Sequence, residues 1–93
     1  MGRRSFWNTM TGAADLNTEP HPGEPLVELV GQNRVLIENH LGVLGYECNE
    51  ICVKVKFGQV VVCGETMVLS RMTKEQLLIT GCIESVRFCR REW

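Results

Sequence analysis

Val35-Leu36-Ile37-Glu38-Asn39-His40-Leu41-Gly42-Val43-Leu44-Gly45-Tyr46 is the stretch whose reading decides the fold. Two apolar runs, 35–37 and 41–46, flank three polar residues, and Gly42 and Gly45 sit inside the second run. A helix is poorly served by this pattern, since an interior Gly costs ~1 kcal/mol relative to Ala. β-Branched residues beside polar and glycine punctuation predict a strand that turns sharply and returns. Asn tolerates left-handed backbone angles, and its amide can bond the local backbone. Glu38, Asn39 and His40, with Gly42 just beyond, therefore read as a structural corner whose side chains supply hydrogen bonds to a bending backbone.

Downstream of the corner the pattern stays β. Glu50-Ile51-Cys52-Val53-Lys54-Val55-Lys56-Phe57 alternates, which sends Ile51, Val53, Val55 and Phe57 to one face and Cys52, Lys54 and Lys56 to the other. Phe57-Gly58-Gln59 predicts a tight turn into Val60-Val61-Val62-Cys63, apolar throughout and expected to be central. Residues 66–70, 76–80 and 82–89 read as three further strands, with Thr73 giving a helix-start signal that has room for one turn only. Upstream, 26–30 reads as a strand that ends at a turn, Gly31-Gln32-Asn33, and the β pattern resumes over 34–38.

Three segments share one outline, four mostly apolar residues, a Gly, then a second strand: 27–35, 60–68 and 77–85. Gly at such a joint permits a sharp bend. The class is all-β, a small single domain of short strands with glycine bends. Its architecture is either a β-roll of stacked β-arches or a curled antiparallel meander.

The ends differ from this middle. All three prolines lie between Pro20 and Pro25, so that piece reads as an extended linker. Ahead of it, 5–16 forms either a short amphipathic helix or a flexible tail, since a short isolated helix needs a partner surface to persist. The organisation expected is a tail and linker over 1–25, an all-β domain over 26–89 and a basic tail over 90–93. Arg3, Arg4, Phe6 and Trp7 at one end, and Arg90, Arg91 and Trp93 at the other, are residue types enriched at binding hot spots and are candidate partner contacts.

With 93 residues, 44% hydrophobic and 23% charged, the chain can bury one modest core and is not disordered wholesale. A formal net charge of −1 gives no pull toward nucleic acid. The longest apolar run falls far short of the ~20 residues that span a bilayer, and no secretory segment follows Arg3 and Arg4. The expected compartment is the cytosol. Five cysteines, an odd number with no C-x-x-C pair, read as reduced thiols acting as small apolar residues, with no disulfide and no metal. Neither a phosphate-cradling loop, a zinc spacing nor a nucleophile elbow occurs. His40 beside Glu38 and Asn39 is the one cluster resembling a site, and no nucleophile or second acid–base group is named to serve it. No catalytic residue and no cofactor are assigned.

Gly31-x-x-x-Val35-Leu36-Ile37-Glu38-Asn39-His40-x-Gly42-Val43-Leu44, then Ile51-x-Val53, Phe57-Gly58-x-Val60-x-Val62-x-Gly64, and Leu77-x-Ile79-x-Gly81-x-Ile83-x-x-Val86-x-Phe88, resemble the YabP/YqfC family of sporulation proteins. The phrase Ile37-Glu38-Asn39-His40-x-Gly42 is closest to the YqfC branch. The resemblance covers 24–89 and carries over no catalytic residues. It implies a non-enzymatic protein of endospore-forming bacteria, acting in the mother cell with a membrane-protein partner of the YqfD type, peripheral to the membrane around the forespore. The expectation is an interaction or assembly module without a membrane span of its own. Two alternatives stand beside it: a self-assembling, homo-oligomeric structural protein of the developing spore, and a small-ligand or metal binder using His40.

Overall fold

A computed structural model describes residues 23–90. Three hairpins make up the domain. The first joins β1 (Leu26–Val30) to β2 (Arg34–Glu38) around Gly31-Gln32-Asn33. The second joins β3 (Gly42–Glu47) to β4 (Glu50–Val55) around Cys48-Asn49. The third is a long ribbon of β5 (Gly58–Met72) and β6 (Gln76–Arg90). Every pairing is antiparallel and the sheet order is β1-β2-β6-β5-β4-β3. The all-β class is as the sequence predicts.

Three expectations are corrected. Residues 60–63 and 66–70 belong to the single strand β5, and 76–80 and 82–89 to the single strand β6. Gly64 and Gly81 bend these strands without breaking them. The register slips between Cys63 and Gly64 and again between Glu65 and Val68, where Thr66 has φ 54°. Such bulges turn a strand while its pairing continues on both sides. Phe57 leaves the buried face of β4, because it takes φ 67° in the turn and stands 64% exposed with Lys56 over its ring. In the second apolar run, Leu41 precedes β3 and is exposed together with Leu44 and Tyr46, and only Val43 packs on the core. β3 is an edge strand with a bulge between Val43 and Gly45, which explains that loss of burial.

The bends curl the sheet into two facing layers. β1 and β2 extend the ribbon where Gln76 to Thr80 pairs with β2, and β4 and β3 extend it where Gly58 to Cys63 pairs with β4. Val35, Ile37, Leu77 and Ile79 from the first layer meet Ile51, Val53, Val55, Val60 and Val62 from the second, with Met67 at the bend. Each short hairpin lends its turn to a bend. Asn33 and Gln32 carbonyls accept from the Gly81 and Ile83 N–H groups at 3.1 and 2.9 Å; Asn49 and Cys48 carbonyls accept from Gly64 and Met67 at 3.1 and 2.8 Å. Of the arrangements left open by the sequence, this is a curled antiparallel sheet. Its order departs from a plain meander because the chain passes from one layer to the other between β2 and β3.

The two sides of the curl differ. On one, Leu69 N–H of β5 donates to the Tyr46 hydroxyl of β3 at 3.1 Å, tying the layers together. On the other, β1 and the last part of β6 leave a groove of about 310 Å³ lined by Pro25, Val27, Val60, Val86, Arg87 and Phe88.

Candidate functional site

The passage between layers is the corner at Glu38, Asn39, His40 and Gly42. Asn39 has φ 64°, its N–H donates to Glu75 O at 2.7 Å, and its Nδ2 donates to Glu24 O at 2.8 Å. Leu41 N–H donates to Lys54 O at 2.7 Å. One short segment therefore joins the start of the domain, the β5–β6 turn and the end of β4. Glu38 Oε2 accepts from Gln76 Nε2 at 2.6 Å, across the β2–β6 pairing.

His40 is 7% exposed and both ring nitrogens are used. Gly42 N–H donates to Nδ1 at 3.0 Å, so Nδ1 is an acceptor and the proton sits on Nε2. Nε2 then donates to Thr73 O at 2.8 Å. The Nδ1 lone pair points at an amide hydrogen, and neither nitrogen is open to a metal or a substrate proton. The Thr73 carbonyl is presented by its own turn, in which Thr73 N–H donates to Gln76 O at 2.7 Å and Gln76 N–H to Thr73 Oγ1 at 2.9 Å.

The remaining predicted residues scatter. Arg90 ends β6 and borders an extension of the groove with Lys56, Phe57 and Phe88. Arg3, Arg4, Phe6, Trp7, Arg91 and Trp93, and the tail or helix of 5–16, lie outside the described residues. Glu24 and Pro25, assigned to the linker, contact the domain through Asn39 and the groove. Cys52, Cys63 and Cys89 are half-buried on neighbouring strands, whereas Cys48 and Cys82 are exposed. Burial pushes the Cys52 thiol up from its ordinary value, the Glu50 charge adds to that shift, and Arg87 opposes it.

Sequence reasoning missed two surfaces. Arg34 and Arg71 flank a depression of about 350 Å³ floored by Leu36 and Leu78 on the outer face of the first layer. The groove between β1 and β6 was missed as well. Its lining comes from strands far apart in the chain, and the only local signal is the apolar character of Val27, Val86 and Phe88. Among the described residues, no His, Cys, Asp and Glu grouping could hold a metal ion and no helix is long and apolar enough to cross a membrane.

A small curled sheet stitched through a polar corner, with apolar side chains left at its strand edges, is the class of domain that the fold and the corner define. A family model described as the YabP family matches residues 23–92, and the chain belongs to that family. It is 30% identical over 86 residues to an uncharacterized protein of Bacillus subtilis (strain 168), YqfC, an alignment that covers 92% of this chain and 90% of that protein. No solved structure matches. The membership suggests a sporulation-related protein.

Proposed function

We propose that the protein is a non-enzymatic interaction module of spore formation, acting in the mother-cell cytoplasm against a membrane-protein partner of the YqfD type. The observation that carries this reading is where the exposed apolar residues lie. Val27, Leu29 and Val30 on β1, Leu44 and Tyr46 on β3, and Phe88 on β6 are each at least 37% exposed and sit along strand edges. An exposed edge presents unpaired backbone groups, and apolar side chains beside them suit a partner that adds a strand or packs along the edge. His40 supports the same reading, because its two nitrogens are occupied by Gly42 and Thr73.

The test is capture. A tagged full-length chain in a sporulating host is crosslinked, the membrane fraction is solubilised, and the captured proteins are identified. The reading expects one membrane protein enriched during sporulation, and loss of heat-resistant spores when the gene for this chain is deleted. Normal spore counts in the deletion strain would overturn the role in sporulation. A chain found only in the soluble fraction, with no enriched membrane protein, would overturn the partner.

A further inference from the structure

We infer that the depression on the outer face of the first layer is a docking site for a short acidic–apolar peptide segment of a protein partner. The inference deepens the interaction-module reading by giving the chemistry of what is bound, and it rests on that reading. Strand pairing builds the site from three strands. Leu36 of β2 lies opposite Leu78 of β6, and Leu78 lies opposite Arg71 of β5, so a half-buried apolar pair ends in a cation. One row further along, Arg34 of β2 lies opposite Thr80 of β6. Leu77 and Ile79 belong to the core, which sends Leu78 and Thr80 to the outer face. The result is the depression of about 350 Å³, which Val30 and Gln76 also line.

Its rim is a set of unpaired donors. Arg34 and Arg71 are exposed, and among the described residues neither guanidinium has an ion pair or a hydrogen bond. On the strand between them, Thr80 Oγ1 is hydrogen-bonded to Ser70 Oγ of β5 at 2.5 Å. Only one hydroxyl donates in such a pair, so the other keeps a proton to offer. Two guanidinium groups and a hydroxyl beside two leucines call for a carboxylate carried next to an apolar group. Arginine meets a carboxylate through two parallel N–H···O bonds, which fixes its orientation as well as its charge. Spacing agrees with this chemistry. Successive outward rows of a sheet are roughly 6.8 Å apart, the same distance that separates side chains i and i+2 of an extended peptide. A leucine over Leu36 and Leu78 thus places a glutamate two residues away beside Arg34 and Thr80, and Arg71 borders the same ligand from β5.

A small free ligand suits the site less well, because such sites bury most of their ligand and Val30, Arg34 and Arg71 are themselves exposed. An anionic bilayer is disfavoured too. A flat surface does not reach leucines at the floor of a depression, and Glu28 and Glu38 add acids to the face that it would cover. A peptide can enter with one pair of side chains while the rest of the segment lies over the neighbouring strands.

Fluorescence anisotropy of a labelled probe peptide containing two leucine-serine-glutamate repeats, titrated with the full-length chain, reads the binding. The expected result is saturable binding that weakens with added salt and is lost when glutamine replaces glutamate, or serine replaces leucine, in the probe. Arg34→Gln and Arg71→Gln should each weaken it about fivefold. Both positions are exposed, so circular dichroism melts should match the wild type. Should either variant melt lower, the corresponding Arg→Lys variant carries the test, since it keeps the charge and still loses the paired bonds and affinity. No saturable binding up to millimolar concentration, equal affinity for the glutamine probe, or wild-type affinity in the Gln variants would each overturn the inference. Arginine-dependent binding to phosphatidylglycerol vesicles with no binding to the probe would overturn the peptide and assign the site to a lipid. In the crosslinking capture, a membrane partner enriched equally by the doubly substituted Arg34→Gln, Arg71→Gln chain overturns this inference alone. Probe binding by a chain whose deletion leaves spore counts normal overturns the module reading alone.

Discussion

Asn39 does two things at one position: it holds a left-handed backbone at φ 64° and its amide reaches Glu24 O at 2.8 Å. These separate by substitution. Asn39→Ala loses the bond and strains the backbone, whereas Asn39→Gly loses only the bond. The Ala variant should be the less stable of the two by about 1 kcal/mol. His40→Ala leaves the Thr73 carbonyl and the Gly42 N–H without their side-chain partner, at roughly 1–3 kcal/mol for buried groups. Thermal melts should show a fall of roughly 4–8 °C per kcal/mol for a domain of this size. A His40→Ala protein with wild-type melting and abundance that still fails in sporulation would make the corner a functional site. Among the thiols, Cys52 should react most slowly. Its pKa is raised by burial and then by Glu50, so less of it is thiolate at any given pH than of an ordinary cysteine. Alkylation of the folded protein, followed by peptide mass, should label exposed Cys48 and Cys82 before Cys52 and close the gap only as the pH rises. Equal rates across the neutral range would contradict that order.

At the scale of elements, the bends of the long ribbon depend on two close approaches. A Cβ on Gly64 would overlap the carbonyl oxygen of Cys82, and one on Gly81, where φ is +144°, would come within 2.7 Å of the Met67 Cα. The obstacle in each case is backbone, which cannot rotate away. Gly64→Ala should therefore destabilise the domain by about 1–3 kcal/mol or more. Gly45→Ala is the control, since its new methyl would meet only Cys52 Cβ at 3.9 Å, an ordinary contact. Chemical denaturation should leave Gly45→Ala within about 0.5 kcal/mol of the parent. Equal midpoints for the two variants would mean that the ribbon adapts at its bend. The positions of these bends were legible, because a Gly after four mostly apolar residues repeats at Gly64 and Gly81. Continuity through them was not. A bulge and a chain break look alike in a local pattern, and only the pairing of β5 with β6 on both sides of the bend separates them.

For the whole molecule, the described contacts begin at the Pro-rich segment, with Glu24 O on Asn39 and Pro25 in the groove. A chain starting at Gly23 should keep its β-type circular dichroism and a cooperative melt, whereas one starting at Leu26 should melt lower for want of the Glu24 carbonyl. An unfolded or aggregated product from the longer truncation would place part of the core before Gly23. The amino-acid sequence by itself determined the class, the alternation that buries Ile51, Val53 and Val55, the glycine bends and the polar corner. Side-chain period and backbone preference act over a few residues, so a linear reading reaches them. Tertiary structure alone decided that β2 lies beside β6, that the His40 ring is claimed by Gly42 and Thr73, and that β1 and β6 leave one side of the curl open. Those outcomes depend on contacts between residues brought together by the curling of the sheet, and strands with the same local pattern can be paired in several orders.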